Sequence, residues 1–399
     1  MKIPSNILKV INTLRECGYD AYLVGGCVRD SAMGNEPHDF DITTNALPEE
    51  IISCFDGNRI IETGLKHGTV TVVSEGENVE VTTYRIDGVY LDNRRPESVS
   101  FTSLIDEDLA RRDFTVNAMA YNPYDGYVDI FGGMRDIDSK VIRCVGDADK
   151  RFSEDGLRIL RAMRFASVLD FDIFTLTSES IHRNRALIKN ISAERIYTEL
   201  KKLICGVRAS KVLEEYYDVM CAVFPMLECK KEMYMRNIQY LNELAPDYIL
   251  RFSCILNGFE PDEVKSFMKL LKPDNDTLKN VIAVTGCSGL NLKADQVSVR
   301  YLMSSLSDDN IRRIAFLRKC FDRNFNCDEF FNAYTAEKMN NPCVSIKQLA
   351  VSGHDLMEAG ISRGAEIGRY MSMILEAVIE NKCENTKESI VSYLKIIRS

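Results

Sequence analysis

Several features that mark specialised classes of protein are missing from this 399-residue chain. No apolar run approaches membrane-spanning length, and the first residues lack the apolar core of a signal peptide. The 13 cysteines are scattered without a Cys-x-x-Cys pair, which argues against a zinc site and against a disulfide framework. Together these absences predict a cytoplasmic protein with free thiols and no contact with a membrane.

Acidic residues outnumber basic residues in the whole chain, 59 to 50, but not in every segment. The formal net charge is −9, so the chain as a whole does not attract nucleic acid. Residues 143–211 nevertheless carry 14 Lys or Arg against 9 Asp or Glu. That excess fits either a solvated helical surface or a face that binds a phosphate backbone.

The length and the residue pattern predict several domains instead of one core. A composition of 45% hydrophobic and 27% charged residues is typical of a globular protein. Strand-like runs alternate with helical spacing up to about residue 145, and helical spacing alone follows, so we expect an α/β first third and then helices. The elements predicted in the first third are a helix over 7–17, strands over 21–24 and 39–43, a helix starting near Pro48, and a hairpin of strands 69–73 and 79–84.

The segment between residues 23 and 42 carries the first chemical signal. Gly25 and Gly26 end a predicted strand and precede a short helical run, so their backbone can approach an anion such as a triphosphate. Arg29 adds a fork of donors for phosphate oxygens. Asp39 and Asp41 follow one residue apart on a predicted strand, where both carboxylates would project to the same side.

Two carboxylates held side by side repel each other unless a cation joins them. Mg²⁺ suits the pair, because it binds carboxylate oxygens and keeps coordination positions for phosphates; a metal ion can also activate an attacking hydroxyl. An isolated Asp-x-Asp is usually a solvated strand end or turn, but the preceding glycines and arginine favour nucleotidyl transfer. Glu80, on a later strand, is either a third carboxylate of this site or an exposed strand residue.

A second cluster lies at residues 107–120, where charged residues precede an apolar run. Arg112 is a candidate for binding a triphosphate, while Asp113 and Asn117, four residues apart, would share a helical face. An ordinary helix start with acids in its first turn explains the same pattern equally well.

A third cluster is a stripe of arginines at every third position. Arg158, Arg161 and Arg164 would lie along one face of a helix, and Asp155, three residues before the first of them, would brace it. A carboxylate beside a guanidinium offers an acceptor and donors in one plane, which is the equipment for reading the edge of a nucleobase without a template. A charged surface helix with i,i+3 ion pairs is the alternative interpretation.

These motifs, in this order, resemble one family. Between residues 20 and 205 the chain is similar to the class II tRNA nucleotidyltransferases, the CCA-adding enzymes of the poly(A) polymerase superfamily, which have a polymerase-β-like head. A faint further match lies at residues 353–360. The segments that carry the resemblance are LVGGCVRD at 23–30, DFDITTN at 39–45, TG at 63–64, HGT at 67–69, RRDFTVNAMA at 111–120, DIFGG at 129–133 and EDGLR at 154–158.

The resemblance implies an activity and a role for each motif. The expected reaction is Mg²⁺-dependent, template-independent addition of CCA to the 3′ end of tRNA from CTP and ATP, with release of pyrophosphate. Asp39 and Asp41 match the catalytic Mg²⁺ ligands, and Asp155 and Arg158 match the base-reading pair. The residues that match nucleotide contacts are Gly26, Arg29, Arg112, Asp155, Arg158, Arg161 and Arg164.

The resemblance also implies four successive parts. They are a catalytic head at 1–145, a helical neck with the base-reading motif at 146–205, a helical body at 206–300 and a helical tail at 301–399. Body and tail are expected to hold the tRNA by its shape and phosphates. At Arg363 the tail departs from the family, which usually has proline there.

Which member of the superfamily this chain represents is decided by weaker signals. Residues 84–96 resemble the flexible loop of enzymes that add the terminal A, which favours complete CCA addition over CC-only or A-only addition. The acidic net charge and the lack of an arginine-rich extension argue against a poly(A) polymerase, and the 4 histidines argue against an added His-Asp phosphohydrolase domain. A non-catalytic RNA-binding protein is the last alternative, disfavoured by the intact acidic pair.

Overall fold

The computed structural model describes residues 1–37, 39–62, 64–88, 99–287, 292–362 and 364–398. The chain divides into two compact units, Met1–Asn242 with Leu270–Lys272, and Glu243–Lys269 with Pro273–Ser399. Within the described ranges, all strands belong to the first unit and the second unit is helical. A search of the same ranges found no helix long and apolar enough to cross a membrane.

The strands are short, and most belong to one mixed sheet in the first unit. They are β1 (Ala21–Val24), β2 (Asp41–Thr44), β3 (Ile60–Ile61), β4 (Thr69–Ser74), β5 (Glu77–Thr83), β6 (Arg85–Asp87), β7 (Val99–Phe101), β8 (Ala120–Asn122), β9 (Gly126–Val128), β10 (Val141–Ile142) and β11 (Asp172–Ile173).

The main sheet has seven strands in the order β3-β4-β5-β2-β1-β8-β9. The predicted strand at 21–24 is confirmed as β1, which lies between β2 and β8 and is antiparallel to both. The predicted hairpin is confirmed as β4 and β5, joined by Glu75 and Gly76, whose positive φ angles of 53° and 86° form a tight turn. Within this sheet, β2 and β5 pair in parallel, which places the hairpin beside β2, the strand that begins at Asp41.

Helices surround this sheet and then make up the rest of the chain. They are α1 (Ser5–Glu16), α2 (Gly26–Ala32), α3 (Pro48–Cys54), α4 (Ile105–Ala110), α5 (Gly133–Asp138), α6 (Ala148–Glu154), α7 (Leu157–Leu169), α8 (Thr175–Asn184), α9 (Ala193–Ile204), α10 (Ala209–Glu215), α11 (Tyr217–Val223), α12 (Lys231–Ile238), α13 (Tyr248–Ile255), α14 (Pro261–Leu271), α15 (Asn275–Gly286), α16 (Gln296–Ser305), α17 (Asp308–Phe321), α18 (Cys327–Met339), α19 (Gly353–Glu358), α20 (Ala365–Ile379) and α21 (Lys387–Arg398).

The apolar faces of these helices follow the spacing seen in the sequence. In α1, Val10, Ile11 and Leu14 are fully buried, which is the i, i+1, i+4 pattern of one helical face. Pro48 begins α3 as expected, because its fixed φ and missing N–H are tolerated at the first position of a helix. All 13 cysteines carry free thiols in the structure.

The fold class is confirmed, with three local corrections. The strand predicted at 39–43 begins only at Asp41, so Asp39 precedes it. Thr115–Asn117 is a single 3₁₀ turn, too short to give Asp113 and Asn117 a common helical face. Strands do not end at residue 145, because β11, at 172–173, pairs in parallel with β10. A strand of two residues is too short to produce a periodic pattern in the sequence. The division into head, neck, body and tail stays a prediction.

Candidate active site

The turn after β1 brings the backbone close to an arginine. Gly25 has a φ of +75°, a conformation that side chains larger than hydrogen rarely adopt. A Cβ atom placed on Gly25 would lie 3.3 Å from Nη1 of Arg112. Gly26 has a similar neighbour, since a Cβ atom there would lie 3.7 Å from Nη2 of Arg29. The two glycines therefore lie between two candidate phosphate-binding arginines.

Three carboxylates gather beside this turn. Val24, the last residue of β1, pairs with Asp41, and the parallel register of β2 with β5 places Glu80 next to Asp41. Partial burial and the carboxylate of Glu80 raise the pKa of Asp41, Arg112 opposes the shift, and Asp39 adds to it. Asp39 is thus close to Asp41 although it lies outside the strand. Glu80 belongs to the acidic cluster, where the sequence left two possibilities open.

The donor set of this cluster consists of carboxylate oxygens, which suits Mg²⁺ and not a soft metal. Repulsion among the three acids is relieved only in part by Arg112, so a bound cation would lower the energy of the cluster. In the part of the chain that the structure describes, no three His, Cys, Asp or Glu side chains form a group that could hold a metal ion by themselves. A metal here would therefore take further oxygens from phosphate or water.

Asp108 on α4 is a functional candidate that the sequence interpretation missed. Its carboxylate is fully buried and accepts hydrogen bonds from Arg111, at 2.6 and 3.0 Å, and from Arg112 at 3.2 Å. Burial alone would raise the pKa of Asp108, but the two guanidinium groups outweigh it and hold the pKa below its usual value. Asp108 thus fixes Arg112 beside the glycine turn. Its only sequence signal was its position, four residues before Arg112.

Arg29 is tied into a chain of hydrogen bonds that crosses the site. Its Nη1 donates to the side-chain oxygen of Asn117 at 2.7 Å, and its Nε and Nη2 donate to Asp30 at 2.8 and 2.6 Å. The amide of Asn117 donates to Asp113 at 3.3 Å, and Asp113 accepts from Arg161 at 2.8 Å. Asp113 and Asn117 are therefore hydrogen-bonded to each other, although they do not share the predicted helical face.

Phe165 on α7 gathers three of the predicted arginines around one ring. The guanidinium carbons of Arg164, Arg29 and Arg161 lie 3.9, 5.2 and 5.5 Å from its centroid, within the range of cation–π attraction. Nine of the 13 residues of α7 are buried, so α7 is not a charged surface helix. The arginine stripe is real, but each member has its own acid outside the helix or at its start.

The expected direct pair of Asp155 with Arg158 is not formed. Asp155 instead pairs with Arg195 on α9, through Nη1 to Oδ1 at 3.3 Å and Nη2 to Oδ2 at 2.7 Å. Arg158 pairs with Glu154 at 2.6 Å and donates to the backbone oxygens of Arg151 and Arg111 at 3.1 and 3.0 Å. The two side chains are each held by a partner that the i,i+3 rule could not identify.

Two charged side chains of α9, one glutamate and one arginine, complete the surroundings of α7. Glu199 is buried and lies 2.6 Å from Nε of Arg164 and 3.9 Å from Nη1 of Arg161. Arg195 holds Asp155 one turn earlier on the same face. Nothing in the sequence linked α9 to the site, except that Arg195 and Glu199 are four residues apart.

Some sequence predictions fall on residues outside the described ranges. Most of the predicted loop at 84–96 does so, because the description stops at Gly88 and resumes at Val99. The same holds for Thr63 in the TG motif and for Arg363 in the tail. The described motif residues of 23–30, 111–120 and 154–158 all lie in the first unit.

Known proteins match this chain over nearly its whole length. Three family profiles match in succession: "Poly A polymerase head domain" over 21–143, "Probable RNA and SrmB- binding site of polymerase A" over 170–229, and tRNA nucleotidyltransferase domain 2 over 247–394. The CCA-adding enzyme of Lactobacillus helveticus is 34% identical to this chain and covers 99% of it, with 98% of its own length matched. That of Pediococcus pentosaceus is 33% identical over 96% of this chain and 95% of the relative.

A solved structure extends the agreement to the fold. The crystal structure of the Bacillus stearothermophilus CCA-adding enzyme in complex with CTP matches 100% of this chain and 98% of that chain, with a TM-score of 0.86 and 31% identity. These similarities confirm the resemblance drawn from the motifs. The chain belongs to the CCA-adding enzymes, a family of tRNA nucleotidyltransferases.

Proposed function

We propose that this enzyme adds C, C and A in turn to the 3′ end of tRNA, using CTP and ATP and no nucleic-acid template. The observation that carries the proposal is the acidic cluster beside the glycine turn, in a chain whose full length matches CCA-adding enzymes. The matched CTP complex of the Bacillus stearothermophilus enzyme supports CTP as one substrate. The relatives are named CCA-adding enzymes and not poly(A) polymerases, so the poly(A) alternative is not favoured.

Asp39 and Asp41 would hold Mg²⁺, and the negative charge of Glu80 beside Asp41 would favour the bound cation. When bound, the ion would neutralise phosphate charge and make the RNA 3′-hydroxyl a better nucleophile. The contribution of the protein is then mainly positioning, because phosphoryl transfer needs the hydroxyl, the α-phosphorus and pyrophosphate held in line.

The arginines around the glycine turn would bind the triphosphate. Arg112 lies against Gly25, and Arg29 lies against Gly26, so both reach the space over the backbone of the turn. Both are pre-oriented, Arg112 by Asp108 and Arg29 by Asn117. Orienting them before the nucleotide arrives reduces the entropy lost on binding. Arg161 and Arg164 would add positive charge from α7.

Base choice would fall to Asp155 and Arg158. Cytosine and adenine each carry an amino group that donates to a carboxylate, and a neighbouring ring nitrogen that accepts from a guanidinium. Uracil and guanine have a carbonyl in place of that amino group, so they repel the carboxylate. The positive excess over residues 143–211 would then hold the tRNA backbone nearby.

The proposal is tested by incorporation of labelled nucleotide into tRNA that lacks its 3′ CCA. We expect two additions with CTP alone, one further addition with CTP and ATP, and none with EDTA. Long tails from ATP alone would identify a poly(A) polymerase, and arrest after two C residues would identify a CC-adding enzyme.

Single substitutions of the acidic pair test the metal role. Asp39→Ala and Asp41→Ala should each abolish incorporation while the affinity for tRNA, measured by filter binding, stays close to that of the wild type. The exposed Asp56, changed to Ala, is the matched control and should retain activity. Equal loss of tRNA affinity in the two variants would contradict the role as metal ligands.

A further inference from the structure

Helix α9 presents two charged side chains to α7, one turn apart. Arg195 pairs with Asp155 through both guanidinium nitrogens, at 2.7 and 3.3 Å, and Glu199 pairs with Arg164 at 2.6 Å. The side chains of Arg195 and Asp155 keep only 27% and 16% of their exposure, so water screens the pair weakly. Helix α9, which holds none of the motif segments that carried the resemblance, therefore holds the carboxylate that is proposed to read the base.

The geometry of the pair restricts what Asp155 can do. A bidentate guanidinium holds a carboxylate in its own plane, which a single hydrogen bond does not. The backbone N–H of Leu157 also donates to Oδ1 of Asp155, at 3.1 Å. In all of these contacts the carboxylate oxygens of Asp155 act as hydrogen-bond acceptors. Oδ1 already accepts from Leu157 and Arg195, whereas Oδ2 accepts one hydrogen bond from Arg195, so the second lone pair of Oδ2 can accept a donor from a base.

We propose that Arg195 is a positioning residue that fixes Asp155 as a hydrogen-bond acceptor and thereby sets the preference for CTP and ATP over UTP and GTP. This inference rests on the proposed function, because it assumes that Asp155 reads the base. A carboxylate freed from Arg195 rotates out of plane and loses its fixed angle to the amino group of cytosine or adenine. It then also penalises the carbonyl of uracil or guanine less.

If the ion pair of Arg195 with Asp155 were purely structural, the loss of Arg195 would have a different effect on the kinetics. If Arg195 only stabilised the packing of α7 against α9, its loss would lower activity with every nucleotide by the same factor. The ratio of kcat/KM for CTP to that for UTP, and the corresponding ratio of ATP to GTP, would not change. The selectivity ratio thus separates positioning from general stability.

The test uses the full chain with Arg195→Met, Arg195→Lys and the control Thr198→Ala. Thr198 is exposed on the same helix and its hydroxyl donates only to the helix's own Glu194 carbonyl, at 2.8 Å. We expect Arg195→Met to lower both selectivity ratios about tenfold to hundredfold, the discrimination that a good bidentate base contact provides. Arg195→Lys keeps the positive charge without the planar guanidinium, so its selectivity ratios should lie between those of Arg195→Met and the wild type. Thr198→Ala should match the wild type.

Two results would overturn the inference. One is an Arg195→Met enzyme whose ratios stay within twofold of the wild type while its activity falls equally with all four nucleotides. The other, decisive if the Met variant does not fold, is an Arg195→Lys enzyme with full wild-type selectivity. Folding of each variant is checked by circular dichroism. Failure of the wild type to add C and A to tRNA would instead reject the proposed function.

Discussion

Replacing Asp108 by asparagine should loosen two arginines of the site at once. The carboxylate of Asp108 is completely buried and accepts hydrogen bonds from Arg111 at 2.6 and 3.0 Å and from Arg112 at 3.2 Å. The hydroxyl of Thr43 lies 3.5 Å from it. Asparagine keeps the shape but removes the negative charge, so both guanidinium groups lose this ionic partner in a largely buried setting, while Arg111 keeps its contact with Asp87 at 3.6 Å.

The expected loss in the free energy of unfolding follows from the burial of the Asp108 carboxylate. Removing one partner of a fully buried ion pair costs about 3–5 kcal/mol. Because the two arginine side chains retain 17% and 20% of their exposure and asparagine still accepts one hydrogen bond, we expect about 2–3 kcal/mol. With a urea m-value of about 3 kcal/mol/M, the midpoint for the first unit should fall by roughly 0.8 M. Circular dichroism follows the transition, since the chain contains no tryptophan.

The same substitution has a defined pH dependence. Arg112 and Arg111 hold the pKa of Asp108 below its usual value despite burial. A carboxyl group with a lowered folded-state pKa stabilises the fold above its unfolded-state pKa, and that contribution is lost as the pH falls through the folded-state pKa. The difference in stability between wild type and Asp108→Asn should therefore be full at pH 7 and shrink below about pH 4.

Activity and a matched control complete the test. Asp108→Asn should lower kcat/KM about tenfold, or 1.4 kcal/mol, equally for CTP and ATP, because the proposed role of Arg112 is to bind the phosphates and not the base. Asp106→Asn, an exposed change on the same helix, should behave as the wild type. If Asp108→Asn unfolds at the same urea concentration as Asp106→Asn, the stabilising role of the buried carboxylate is refuted. If Asp108→Asn loses kcat/KM unequally with CTP and ATP, the phosphate role of Arg112 is refuted.

Two further substitutions probe the glycine turn and the acidic cluster. Gly25→Ala places a methyl group at a residue with a φ of +75° and only 3.3 Å from Arg112. Steady-state kinetics should therefore show a raised KM for both CTP and ATP. An unchanged KM would mean that the nucleotide does not approach the turn. Glu80→Gln removes a carboxylate beside Asp41, so more Mg²⁺ should be needed for half-maximal activity. A Mg²⁺ titration identical to that of the wild type would exclude Glu80 from the metal site.

Local signals were enough to predict most of the head and the identity of the family. The strand before the glycines, the hairpin and the helix at Pro48 rest on neighbouring residues, whose turn and capping chemistry acts within a few positions. The candidate metal ligands and nucleotide arginines stood in ordered motifs, and chemistry restricts which residues such motifs can contain. For these reasons the sequence by itself determined the fold class and the reaction to be expected.

Tertiary structure decided which charged groups of distant segments meet. Glu80 joins Asp41 because β2 and β5 run parallel across 39 residues of chain, and Arg195 reaches Asp155 because α9 packs against α7. The i,i+3 spacing paired Asp155 with Arg158, yet Asp155 pairs with Arg195 on α9, and Arg158 pairs with Glu154, four residues before it. Ion pairs between distant segments depend on how helices and strands pack together, and the residue spacing within one segment does not specify that packing.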